Sequence, residues 1–293
     1  MRKPIITGLI ALLLLVAPRP AAAWGFEGHK YILDRAIALL PPEIRPFFEK
    51  NRVTIVEHAI DPDLWRNVGF DAQEGPRHFV DMDAYGPPPF TALPRDYDEA
   101  VKKYGLDFVT KNGLLPWRAQ EMHGKLVEAF TQKATYSREN IKFFSSVISH
   151  YVADGHVPFH AALNYDGQLT GQWGIHSRFE TELFERYQST LKLTPGPLVP
   201  IPNTREFMFD TLVVSFPFVQ PILDADKAAV AGRDEYDDQY FTMFFGKVSP
   251  ILERRLSDAV THVASMIAAA WEKAGRPALP TEVARTPRKV RRS

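Results

Sequence analysis

The 293-residue chain contains no cysteine. No disulfide can brace it in an oxidising compartment, and it is not a lipoprotein anchored through a cysteine. Surplus positive charge is missing too. Residues 1–23 carry three of the 35 Lys and Arg residues (Arg2, Lys3 and Arg19) and no acidic residue, so from Trp24 onward 32 basic residues face 35 acidic ones, a formal charge of about −3. This balance argues against salt-driven binding of nucleic acid through a broad basic face, which depends on many Lys and Arg contacts with phosphates. A small cleft that engages a few nucleotides or one lipid headgroup is compatible with it. Alternating strand patterns are scarce and internal repeats are absent. Beyond the first two dozen residues no apolar run approaches the roughly 20 residues that a transmembrane helix needs.

The chain opens with Arg2 and Lys3, an apolar run from Ile5 to Val16, and Pro18, Pro20 and Ala21 to Ala23. This is the pattern of a secretory signal with a small-residue cleavage site, and it predicts export to the periplasm or the medium. Cleavage after Ala23 would make Trp24 the new N-terminus, at the head of the sequence Trp-Gly-Phe-Glu-Gly-His that closes with His29. A free α-amino group and its neighbouring carbonyl can chelate a metal, which an internal residue cannot do.

Helical periodicity dominates the rest. An amphipathic run at 31–40 stops at Pro41 and Pro42, which cannot continue a helix. Further helical patterns cover about 99–112, 116–132, 137–154, 176–188, 205–219 and 248–274, with Ser137 as an N-cap and Gly275 and Pro277 ending the last. Between residues 63 and 96 the pattern gives way to a long proline-rich irregular segment that carries His78, and a loop of that length in a compact domain is usually functional. No domain linker stands out. The expectation is a single all-α, multi-helix domain over 24–280 with long loops around a metal cleft, followed by a basic tail at 281–293.

His150, Asp154, His160, His176 and Glu180 crowd into 31 residues. His150 and Asp154 are four apart on a helical pattern, so both project from one face about a turn apart, and His176 and Glu180 repeat the arrangement. Imidazole and carboxylate at that spacing suit a divalent ion such as zinc, which takes nitrogen and oxygen ligands.

Taken together, Trp24, His29, His78, the Asp63-x-x-Arg66 pattern and this ligand string resemble the superfamily that joins zinc-dependent phospholipases C to single-strand-specific S-one/P-one nucleases. The resemblance implies an all-α fold, three zinc ions and hydrolysis of a phosphodiester by metal-hydroxide attack on phosphorus. It further implies that Trp24 and His29 serve one zinc, that Asp63, His78 and His150 hold a second with Asp154 bridging the two, and that His160, His176 and Glu180 hold the third. Asp61 competes with Asp63 for its place. Asp63 would also orient the nucleophile, and Arg66 is placed to contact phosphoryl oxygens through its planar fork, or else pairs with a nearby carboxylate.

The short Trp24 to His29 spacing, Asp63 and Arg66, the interval from Asp63 to His78, and the His78-Phe79-x-Asp81 segment lean toward the nucleases, where Phe79 would stack on a base and Asp81 would bind its edge. Glu180 in place of Asp, and the short stretch from His160 to His176, lean toward the phospholipases. On the sequence the balance tips to a secreted nuclease cleaving single-stranded DNA or RNA. The alternatives are a phospholipase C releasing a phosphorylated headgroup from a glycerophospholipid, and a non-catalytic metal-binding protein.

Overall fold

In the computed structural model, residues 24–132 and 136–279 are described. The signal sequence expected at 1–23 and the tail expected at 281–293 lie outside them. Every regular element among the described residues is helical, as the scarcity of alternating patterns predicts. Helix α1 (Gly25–Leu39) buries Ile32, Leu33, Ala36 and Ile37 on one face, and its end falls just before Pro41. Helix α2 (Leu115–Thr131) carries Pro116 in its first turn, where the missing N–H costs nothing.

Helix α3 (Ser137–Asp154) is the centre of the molecule. Every residue from 145 to 162 is buried, so its second half is covered all round, as a helix inside a bundle must be. Ser145, Ser146, Ser149 and Ala153 keep that half slim enough for neighbours on all sides. Helices α1 and α2 pack on it, together with the long helix α6 described below.

Helix α4 (Thr204–Ser215) begins at Asn203, whose side chain accepts from the Arg205 and Glu206 amides. Helix α5 (Val219–Val230) follows after a tight turn at Phe216–Phe218. Helix α6 (Asp238–Lys273) is 36 residues long and runs through Pro250. Its apolar face of Val260, Val263, Ala264, Ile267 and Trp271 closes the core. Most of the aromatic runs at 209–219 and 240–245 pack into or against that core: Phe209, Tyr240, Phe241 and Phe244 are fully buried.

An extended strap leads from the end of the Leu183–Tyr187 helix to α4, and α6 holds it down. Its amides at Lys192, Thr194, Gly196 and Val199 donate to Glu253 Oε1, Ser257 Oγ, Thr261 Oγ1 and Ser265 Oγ at 2.8–3.0 Å. Residues four apart on a helix rise about 6 Å, close to the advance of two extended residues, so one helical row can fasten a straight chain.

Four expectations shift. The helix expected at 99–112 is two, Tyr97–Tyr104 and Leu106–Lys111, parted by Gly105 at φ 86°. The last helix starts ten residues before 248, because apolar packing of Tyr240 and Phe244 outweighs the proline penalty. Ser137 is the first residue of α3, with Tyr136 in the cap position. The irregular segment at 63–96 contains a chain of single helical turns too short to show periodicity.

Candidate metal centre

The C-terminal end of α3 carries His150 and Asp154, and the chain then turns through 155–157 into Pro158–Ala161, which brings back His160. The carbonyl end of a helix carries partial negative charge, so cations are favoured there. His29 arrives from the first turns of α1, Asp63 from the short Asp61–Trp65 helix, and His78 from the turn Gly75–His78. His176 and Glu180 share one face, four residues apart, although the backbone widens into a π-turn at Arg178–Glu182.

These residues form three groups able to hold a metal ion: His29, His150 and Asp154; Asp63, His78 and His150; and His160, His176 and Glu180. All are buried, with ligand atoms in each group within 4.8 Å of one another. Asp154 joins the first two groups. Its Oδ1 lies 3.4 Å from His29 Nε2, while its Oδ2 lies 3.0 Å from His78 Nδ1 and 3.5 Å from His150 Nε2. The His29 and His150 rings stack with centroids 3.8 Å apart.

The protein fixes which ring nitrogens face inward. His150 Nδ1 donates to the Ala59 carbonyl at 2.9 Å, and His160 Nδ1 donates to the His78 carbonyl at 2.5 Å. A carbonyl can only accept, so each Nε2 is left with its lone pair directed at the cluster. Burial holds His78, His150 and His160 well below the ordinary histidine pKa, which keeps them in the neutral form that binds metal.

The carboxylates carry the opposite strain. Burial pushes Asp63 up to about 8; Arg66 pulls it down, and Glu180 and Glu74 push it further up. Asp154 is held well above the usual range by burial, then by Asp63 and Glu180. Burial also raises Glu180, opposed by His176. Buried carboxylates in mutual repulsion require nearby positive charge to ionise. Asp63 Oδ1 and Oδ2, Asp154 Oδ1, Glu180 Oε1 and His176 Nε2 are all buried without a hydrogen-bond partner. Orphaned lone pairs around shared centres are what divalent cations satisfy, so the donor set fits metal.

Other expected site residues are placed as follows. Asp63, not Asp61, joins the cluster: its Oδ1 is 3.8 Å from both His78 and His150, whereas Asp61 pairs with His58 at 2.8 Å. The Trp24 nitrogen donates to Glu180 Oε2 at 3.0 Å, beside the third group, and the fully buried indole donates to the Ala153 carbonyl. Arg66 pairs with Asp71 at 2.8 Å, and its charge reaches Asp63, His78 and Asp154.

Phe79 is only partly buried and lies tight against Gly113, whose missing side chain would meet the Phe79 carbonyl and ring. Asp81 is buried with its Oδ1 lacking a hydrogen-bond partner; burial, then Asp83, raise its carboxyl to about 7 against the pull of Lys111, and it raises Tyr85 in turn. Unforeseen from the sequence is Glu74, buried behind His78. It lies four residues before that histidine, the spacing of His150 and Asp154 reversed, but Gly75 and Pro76 between them mask the helical pattern.

No protein-family model matches the chain, and no curated protein matches it in sequence. Among solved structures that do match is one titled Alpha Toxin from Clostridium Absonum, with a TM-score of 0.49 and 16% sequence identity, covering 84% of this chain and 63% of that one. The chain thus spans less than two thirds of the length of that neighbour.

Proposed function

We propose that this protein is an exported, zinc-dependent phosphodiester hydrolase of the phospholipase C kind. The observation that carries the reading is Asp154, whose two oxygens face two different histidine groups while Asp63 completes one of them. A carboxylate shared between adjacent cation sites is the arrangement that hydrolysis of an anionic ester calls for, whereas a single storage site has no use for it.

Three zinc ions would be held by His29 and Asp154 with the Trp24 terminus, by Asp63, His78 and His150 with the shared Asp154, and by His160, His176 and Glu180. When bound, zinc supplies an acidified water and positive charge for the phosphoryl oxygens. The chain's own residues do the rest. Asp63, with both oxygens unpartnered, accepts a hydrogen bond from the attacking water and aligns it. Arg66 offers its planar fork to the phosphoryl oxygens. Attack forms a new P–O bond and breaks the one to the leaving oxygen, which departs as an alcohol after taking up a proton.

The lipid reading is supported by Glu180, by the short stretch from His160 to His176, and by what flanks the cluster. Leu64, Val68 and Phe70 follow Asp63 on one segment, and Leu163, Tyr165, Leu169 and Trp173 fill the segment between two ligand histidines; all are exposed. Apolar side chains flanking a polar cleft suit a substrate with acyl chains. A nuclease is the second reading, favoured by Asp63-x-x-Arg66 and the His78-Phe79-x-Asp81 segment.

The test uses zinc-loaded protein beginning at Trp24, assayed in parallel on phosphatidylcholine vesicles and on single-stranded DNA and RNA, with a chelated control. Chelator-sensitive headgroup release without nucleotide release is the expected result. Nucleotide release alone would establish the nuclease, and hydrolysis of neither by fully loaded protein would leave a metal-binding protein.

A further inference from the structure

The histidines that face the cluster each need their far ring nitrogen held, because a metal-bound imidazole is oriented and made more basic by the partner of its other N–H. His150 has the Ala59 carbonyl and His160 has the His78 carbonyl. His78 has neither. Its Nδ1 faces inward, 3.0 Å from Asp154 Oδ2 and 3.1 Å from His150 Nε2. Its Nε2 is buried without a hydrogen-bond partner and points toward Glu74 Oε1 at 3.8 Å.

Glu74 is 2% exposed and is itself held from three sides. The Tyr151 hydroxyl donates to Oε1 in a short hydrogen bond. Arg77 donates to Oε2 at 2.8 Å, and Arg118 lies 3.8 Å from the same oxygen while donating to the Tyr151 hydroxyl at 3.1 Å. Two guanidiniums and a phenol thus fix a carboxylate that touches no other ligand in the cluster. Glu74 also lines a cavity of about 280 Å³ with Trp65, Phe70, Gln73, Arg77 and Arg118. It belongs to none of the three ligand groups.

We propose that Glu74 is the positioning residue for His78: it accepts a hydrogen bond from Nε2–H, commits the ring to binding through Nδ1, and is kept in place by Tyr151, Arg77 and Arg118. This rests on the metal reading above. At 3.8 Å the hydrogen bond is not made, and with the carboxylate held in place the imidazole has to approach it by about 0.7 Å to form it.

The experiment measures zinc stoichiometry and affinity by competition with a chromophoric chelator, and the absorption spectrum of the cobalt(II)-substituted protein, for wild type, Glu74→Gln, Glu74→Asp and Tyr151→Phe. Glu74→Gln is expected to weaken one site by about 10- to 100-fold and to change the cobalt spectrum. Glu74→Asp should recover part of that loss, and Tyr151→Phe should weaken the same site by less. A Glu74→Gln protein that melts earlier but binds zinc and cobalt as wild type does would show a purely structural ion pair and overturn the proposal. If Glu74→Gln does not fold, unchanged metal affinity in Tyr151→Phe and Glu74→Asp together would overturn it equally. Wild type that takes up no divalent metal would instead sink the hydrolase reading, a separate outcome.

Discussion

Two aspartates two residues apart illustrate how burial decides a role. The resemblance favours Asp63, through its spacing to Arg66 and His78, but the sequence leaves Asp61 as a competitor. The structure buries Asp63 to 3% exposure and gives Asp61 to His58 near the surface. Asp63→Asn should therefore cut hydrolysis by more than about 100-fold, the upper end for an outer-shell partner. Asp61→Asn should stay within about twofold, since an exposed pair contributes little; equal losses in steady-state assays would refute the assignment. Asp81 tests a different property. Its carboxyl titrates at about 7 against roughly 4 in an unfolded chain. Between those values the folded state keeps a proton that the unfolded state releases, so stability falls as pH rises through that window. Asp81→Asn mimics the protonated form, and denaturant titration should find it more stable at pH 8 by at least about 1 kcal/mol, with little change at pH 4. The ligand histidines were legible because imidazole and carboxylate at a four-residue spacing have few other uses. What Asp81 meets was not legible, because a motif of four residues says nothing about the direction of a side chain. Glu74 went unseen because a glycine and a proline interrupt its turn.

The helices that the sequence displays well are those of three turns or more with a single apolar face. Periodicity marks α2 and α3 to within a residue or two and the end of α1, whose start lies six residues before the expected run. It fails over 63–96, where each helical turn is too short to repeat, and at the start of α6, where aromatic residues surround the axis. The row of Glu253, Ser257, Thr261 and Ser265 is another feature hidden from periodicity, since hydroxyls at a four-residue spacing read as a solvated face. Here they fasten the 192–199 strap. Thr261→Val deletes the acceptor for the Gly196 amide and should cost about 1 kcal/mol. Replacing Ser257 and Ser265 by alanine as well should raise hydrogen exchange at the strap amides while α3 stays protected. Unchanged exchange would mean the strap is held by its apolar contacts alone.

At the scale of the whole molecule, the cluster sets how stability responds to pH and to metal. Without metal, Asp63 holds its proton up to about 8 in the folded state, so its contribution falls as pH rises from about 4 to about 8. The buried histidines act in the opposite sense: their folded pKa values are depressed, so their contribution grows with pH until about 6.5 and is then constant. The net loss is therefore steepest between about 6.5 and 8. Calorimetry should show the chelated protein melting progressively earlier across that interval, and the zinc-loaded protein should not follow it, because bound cations stabilise the ionised carboxylates. Parallel curves would contradict the cluster's electrostatics. The clusters also differ in how far apart along the chain their members lie. His176 and Glu180 are four residues apart, whereas His78 and Asp154 are separated by 76 positions and Trp24 and Glu180 by 156. Closing a long loop carries an entropic cost that only the finished fold repays. A partly synthesised chain can thus assemble little beyond the local His160, His176 and Glu180 group, and the contact of Trp24 with Glu180 closes the longest loop. The full set of metal ligands would thus come together only with completion of the fold.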